Sequence, residues 1–127
     1  MLWKPAIVGT DIFYRPKEKN ITLKIVIEKN IYVIEVPEEV MQGGESFFEK
    51  LETDMAKGWQ MNREWVENPN LLQCCQIVSD RIADAINNEN ETLTCLLAGF
   101  IVSRMPQVKE VHINTEGEMA ETRFVPV

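Results

Sequence analysis

The chain has one histidine, His112, and three cysteines, Cys74, Cys75 and Cys95. An odd cysteine count is a poor disulfide framework. Adjacent Cα atoms, about 3.8 Å apart, are also closer than the usual disulfide span of about 4.4–6.8 Å. A tetrahedral zinc set needs partners at motif spacing, and Cys95 and His112 do not supply it. No metal and no cofactor is expected. Positive charge is also scarce: 13 basic residues stand against 20 acidic ones, a net charge of −7. Nucleic-acid backbones and anionic lipid surfaces both require a basic stripe, so neither partner is expected. An acidic chain favours solubility and a basic partner. Long apolar runs are missing too. The longest, residues 93–102 with Thr94 inside it, is too short to span a bilayer. "MLWKP" opens no apolar signal region. These absences lead us to expect a reduced, cytoplasmic protein. Gly43-Gly44 precedes a helical pattern but lacks the lysine and hydroxyl of a phosphate loop.

What is present is an ordinary globular composition, 45% apolar and 26% charged. The 127 residues suit a single domain, able to bury roughly two-thirds of its unfolded surface. Residues 1–19 are broken by Pro5, Gly9 and Pro16 and read as an N-terminal arm or edge strand. "ITLKIVIEKNIYVIEVP" reads as a β-hairpin turning at Lys29-Asn30. That register gives one apolar face, from Ile21, Leu23, Ile25 and Ile27 to Tyr32, Ile34 and Val36, and pairs Lys24 with Glu35 on the other. The second face also carries Val26, Ile31 and Val33, an apolar excess. "GGESFFEKLETDMAKG" has Phe47, Phe48, Leu51 and Met55 at helical spacing, with Gly58 as its stop. In "NPNLLQCCQIVSDRIADAINN" the start is either Asn68 capping with Pro69 first, or a capping box of Asn70 and Gln73. Leu71, Cys74, Cys75, Val78, Ile82, Ala85 and Ile86 form its apolar stripe, with Gln73, Gln76, Asp80, Asp84 and Asn87 opposite. "ENETLTCLLAGFIVSRMP" is a third helix, apolar all round, capped by Asn88 or Asn90. Its Ala98 and Gly99 suit close approach of another helix. The tail predicts a second hairpin at Glu116-Gly117, pairing Glu110 with Arg123 and His112 with Glu121. The order is ββ-ααα-ββ, and the simplest solution is a two-layer α+β domain with hairpins against three central helices.

Chemistry-bearing residues are few. Cys74 and Cys75 fall on the apolar stripe and read as small buried hydrophobes. His112 has a structural role open to it opposite Glu121, and no second group completes a catalytic set. The remaining anomaly is "GWQMNREWVENPN", which holds Trp59 and Trp65. In an extended segment Trp59, Met61, Arg63 and Trp65 share one side, where Arg63 could stack on either ring. They serve as packing anchors or as a partner surface, since Trp, Arg and Met are enriched at interfaces.

"DMAKGWQMNREWVENPN", "QCCQIVSDRIADAINNENET" and "INTEGEMAET" resemble a set of small bacterial conserved proteins of unassigned function. The resemblance covers most of the chain after Ile21. It implies one intact bacterial domain and brings no activity or site residues. The reading is therefore a non-enzymatic accessory or interaction domain, binding another protein or itself. Its surface would be drawn from Trp59, Arg63, Trp65, Val26, Ile31 and Val33. The alternative is a small-molecule-binding protein or small enzyme with a pocket near the Trp59–Trp65 segment.

Overall fold

In the computed structural model the chain is described over residues 21–126, apart from Asn62. The expected arm at residues 1–19 lies outside the described residues. The fold is α+β. Strand β1 (Ile21–Ile27) turns into β2 (Asn30–Val36), followed by helices α1 (Glu38–Gly43) and α2 (Glu45–Ala56). A short ribbon, β3 (Trp59–Met61) and β4 (Glu64–Val66), leads to α3 (Leu71–Asn87) and α4 (Glu91–Arg104). Strand β5 (Val108–Ile113), a 3₁₀ turn (Met119–Glu121) and β6 (Arg123–Pro126) complete it.

Both hairpins share one sheet of order β2-β1-β5-β6, with β1 and β5 parallel. The order differs from ββ-ααα-ββ in two places. Pro37, extended at φ −65, starts the additional helix α1 immediately after β2. Gly44 both ends α1 and begins α2. The tryptophan stretch forms its own two-stranded ribbon rather than a plain crossover.

The first hairpin turns at Glu28-Lys29, with Glu28 at φ 56, so Ile25 faces Tyr32 and Lys24 faces Val33. This lies two residues from the Lys29-Asn30 register. A shift of two keeps every side chain on its face, so Leu23, Ile25, Ile34 and Val36 are all buried as expected. Pro37 supplies the physical reason. The expected register places it in the ladder opposite Thr22, where it has no N–H to give. In the observed register Ile21 pairs with Val36 and Pro37 stays just outside. Lys24 therefore meets Glu110 of β5, at 4.0 Å, instead of Glu35.

The C-terminal pairing is also displaced by two. His112 faces Arg123 and Val111 faces Phe124. No tight turn forms at Glu116-Gly117. Asn114 Oδ1 accepts the N–H groups of Glu116 (2.9 Å) and Glu118 (3.1 Å), and such side-chain bonds compete with a strand ladder. Thr122 Oγ1 accepts from Asn114 N–H at 3.1 Å, closing the wider loop. A bulge between Val108 and Glu110 leaves Lys109 outside the ladder and turns Val108 into the core.

The helices cover the sheet's inner face. Asn70 and Gln73 form a reciprocal capping box at the start of α3; Asn68, the other candidate cap, has φ 50. Helix α3 is buried beyond its expected stripe. Gln76, placed on the polar face by the wheel, is 5% exposed. Its carboxamide donates to Ala120 O (3.1 Å) and Thr122 O (3.4 Å), pinning the C-terminal loop and satisfying a buried amide. Asn90 caps α4 by accepting from Leu93 N–H at 3.1 Å. Helix α4 packs against α3, against β1 and β2, and against α1 and α2. That setting explains its all-round apolar surface. Gly99 permits the close approach of α1 and α2: a Cβ there would sit 3.0 Å from Val40 and 3.1 Å from Phe48.

Candidate functional site

The ribbon decides where the tryptophans go. Helix α2 ends in Gly58, at φ 116, whose N–H donates to Met55 O at 3.0 Å. The chain then reverses between Met61 and Glu64, pairing Trp59 with Val66 and Gln60 with Trp65. Alternation holds within a strand and does not carry across a reversal of this register. Trp59 and Trp65 are therefore on opposite faces, a correction to the one-sided arrangement expected of an extended segment. Trp59, Met61 and Val66 turn to the core, with Met61 buried and Trp59 partly so. Trp65 is 57% exposed, and its indole lies against Gly58. Only a residue without Cβ admits a ring so close to the backbone. Arg63 is exposed, and among the described residues no ring lies under it.

Beyond the ribbon, Pro69 is buried and its carbonyl faces Cys74 Sγ at 3.6 Å. The first turn of α3 then projects past the core. Leu71, expected on the buried stripe, is 48% exposed, as is Leu72. Trp65, Leu71 and Leu72 are thus large apolar side chains left in solvent within one short stretch of sequence, in which Glu64 and Glu67 are exposed as well. Leu71 and Leu72 were not among the candidate residues. The usable signal is their place ahead of the helix's first buried turn, where a helical stripe need not meet the core.

The remaining candidates, Val26, Ile31 and Val33, come together on the sheet's outer face. Val26 is beside Ile31 on one side and His112 on the other. Ile31 is 39% exposed, while Val26 and Val33 are half-buried. Charged groups border this strip. His112 Nε2 lies 3.0 Å from Glu110 Oε1, in place of the expected Glu121 partner. The β5 bulge opens a shallow depression of about 400 Å³, lined by Ile21, Thr22, Lys24, Lys109 and Glu110. It lies at the β1–β5 seam, away from the Trp59–Trp65 segment.

The thiols sit in poor surroundings for reactivity. Burial pushes the Cys75 thiol up to about 12. Burial first, then nearby Glu52, raises Cys74; burial first, then Glu91, raises Cys95. A thiol held in its protonated form is a weak nucleophile. No group of three or more His, Cys, Asp or Glu placed to hold a metal ion occurs among the described residues. None of their helices is long and apolar enough to cross a membrane.

One polar cluster had no counterpart in the sequence reading. Arg104, at the end of α4, gives Nε to Glu52 Oε2 (2.8 Å) and Nη2 to Glu52 Oε1 (3.0 Å). Nη2 also reaches Glu45 Oε2 at 2.9 Å. The guanidinium carbon lies 5.3 Å from the Phe100 centroid and 5.6 Å from that of Phe48. The hydrogen bonds to Glu52, then Glu45, hold Arg104 above its ordinary pKa. The cue was the spacing of Glu45 and Glu52, two turns apart on one face of α2. Every Arg104 donor arm thus described ends on the protein itself, so the cluster is a clasp between α2 and α4. No family model matches the chain, and neither the curated proteins nor the solved structures contain a match.

Proposed function

We propose that this is a non-enzymatic interaction domain of the reduced cytoplasm that docks a protein partner through Trp65, Leu71 and Leu72. The observation carrying this reading is the half-exposed state of these three large apolar side chains within one short stretch of the sequence. Tryptophan is among the residue types that most often anchor an interface centre, within a polar rim. The same stretch carries exposed Glu64 and Glu67, and the whole chain carries −7, which suits a partner with basic residues around an apolar socket. The bacterial resemblance belongs to the same proposal and adds no activity to it.

The test is recovery of partners from native extract on the wild-type chain and on Trp65→Ala. A specific partner should be retained by the wild type and bound roughly 30-fold more weakly by the variant, the fold-change matching about 2 kcal/mol at a hot spot. Equal recovery on both would remove Trp65 from the interface. A second reading, small-molecule binding, draws on the depression beside Lys24, Lys109 and Glu110. It requires a compound whose binding is weakened by Lys24→Ala and left unchanged by Trp65→Ala.

A further inference from the structure

The sheet has two edges, and they are built differently. Strand β6 is short, ends in Pro126, and faces a bulged strand. Proline, bulges and short length all blunt an edge against further pairing. Strand β2 has none of these. It runs seven residues, Asn30–Val36, with no proline and an unbroken register to β1. Among the described residues β1 is its only strand neighbour.

The register also shows which backbone groups point away from β1. In an antiparallel pair, hydrogen-bonded and non-hydrogen-bonded residues alternate. The pair closing the two-residue turn, Ile27 with Asn30, is of the bonded kind. Ile25–Tyr32, Leu23–Ile34 and Ile21–Val36 follow at every second position. The N–H and C=O groups of Ile31, Val33 and Glu35 therefore face outward. At Glu35 the carbonyl is already approached by Cys95 Sγ, at 3.8 Å. Among the described residues, Ile31 and Val33 remain as the open hydrogen-bonding pair.

We infer that this edge pairs with β2 of a second copy of the chain, antiparallel about a twofold axis beside Tyr32. The two four-stranded sheets then join into one. An interface of this symmetry must be self-complementary, and this one is. Ile31 exchanges two backbone hydrogen bonds with Val33 of the other copy, and the twofold repeats them. Tyr32, half-buried on the inner face, meets its own symmetry mate at a non-hydrogen-bonded position, where side chains are closest and aromatic pairs are favoured. Glu35 comes opposite Lys29 of the other copy; both are exposed. A twofold centred on Val33 instead would set Glu35 against Ile31 and leave its carboxylate with no basic residue opposite. The outer-face strip of Val26, Ile31 and Val33 would continue across the seam, which gives that apolar excess a use. This inference shares the interaction reading but uses a different surface, so Trp65→Ala leaves the self-association unchanged.

Sedimentation of the full chain across concentrations tests it. The wild type should form a dimer at or below roughly 100 μM. Val33→Pro removes an outward N–H without touching the β1 ladder; it should sediment as a monomer and keep a near-wild-type unfolding midpoint. If Val33→Pro does not fold, the charge variants decide alone. Glu35→Lys sets two like-charge contacts across the twofold and should weaken the dimer roughly tenfold. Lys29→Glu combined with Glu35→Lys should restore it to within about threefold. A wild type that stays monomeric overturns the inference. So does a dimer indifferent to Val33→Pro, or one that the double reversal fails to rescue. Concentration-independent protection of the Ile31 and Val33 amides from hydrogen exchange would overturn it as well, since the chain itself would then cover the edge.

Discussion

Two places in this molecule combine aromatic rings with a nearby arginine, and they behave in opposite ways. At the α2–α4 clasp, Arg104 is only 17% exposed and lies over Phe48 and Phe100 while both its carboxylate partners hold its fork. At the β3–β4 ribbon, Arg63 is exposed and Trp65 rests on a glycine with more than half its surface in water. The sequence drew attention to the second and passed over the first. The difference lies in how partners are brought together. Arg63 and the tryptophans are neighbours in sequence, yet a strand reversal separates their faces. Arg104 lies more than fifty positions from Glu45, Phe48 and Glu52, and helix packing delivers it to them. Proximity along the chain gives the opportunity for a contact, and tertiary packing decides whether it forms.

The largest test of this contrast is Phe48→Ala. The ring is fully buried and supports both Phe100, at 6.0 Å, and Arg104. Truncation should cost about 3–5 kcal/mol, read from denaturant unfolding. A loss under about 1 kcal/mol would mean that the clasp is not anchored in the core. Arg104→Met should cost about 2 kcal/mol, because the stem keeps its packing and the charged hydrogen bonds are lost. Arg104→Lys should recover less than half of that loss, since an ammonium cannot reproduce the fork.

Acid titration sharpens the same side. The Arg104 hydrogen bond holds the Glu45 carboxyl below its ordinary value of 4.5. Its contribution is therefore complete above 4.5 and is lost as pH falls through the lowered folded value. Asp80 works in the other direction: burial first, then Asp84, raises its carboxyl, so its penalty is relieved on acidification. Comparing wild type with Glu45→Gln isolates the first effect. The variant should lose less stability between neutral and acid pH, as followed by unfolding midpoints; an identical slope would show that the Glu45 arm contributes nothing.

On the ribbon side the effects should be smaller. Gly58→Ala should cost about 1–3 kcal/mol, from a φ of 116 that residues with a Cβ rarely adopt, because Trp65 is exposed enough to swing clear. Tryptophan fluorescence should shift to the red as the indole leaves the backbone. If Gly58→Ala with Trp65→Ala is as stable as Trp65→Ala alone, backbone conformation is not the cause. Smallest of all is Trp65→Ala, expected within roughly 0.5 kcal/mol of wild type. Trp59→Ala, on the core side, should cost about 2 kcal/mol. Thermal unfolding of the pair decides, and the reverse ranking would overturn the face assignment of the ribbon.

Much of the architecture was legible because it follows from local rules. The two apolar strand faces, the helix that α3 forms, and the burial of Cys74 and Cys75 each depend on periodicity or on a residue's own chemistry, while the choice of Asn70 over Asn68 and of Asn90 over Asn88 as caps was settled by the fold. The hairpin registers were not legible, since shifting a strand by two residues leaves its buried face untouched. Pro37 and Asn114 broke that tie in the two hairpins, by a missing donor in one and a competing acceptor in the other. The parallel seam between β1 and β5, the burial of Gln76 and the Arg104 clasp all join residues distant in the chain, for which no local pattern has a term. So it was with the candidate surface. Composition and spacing determined that Trp65 would be large, apolar and close to a helix start. Only the reversal of β3 into β4, and the length by which α3 overshoots the core, decided that Trp65, Leu71 and Leu72 would meet water and Trp59 would not.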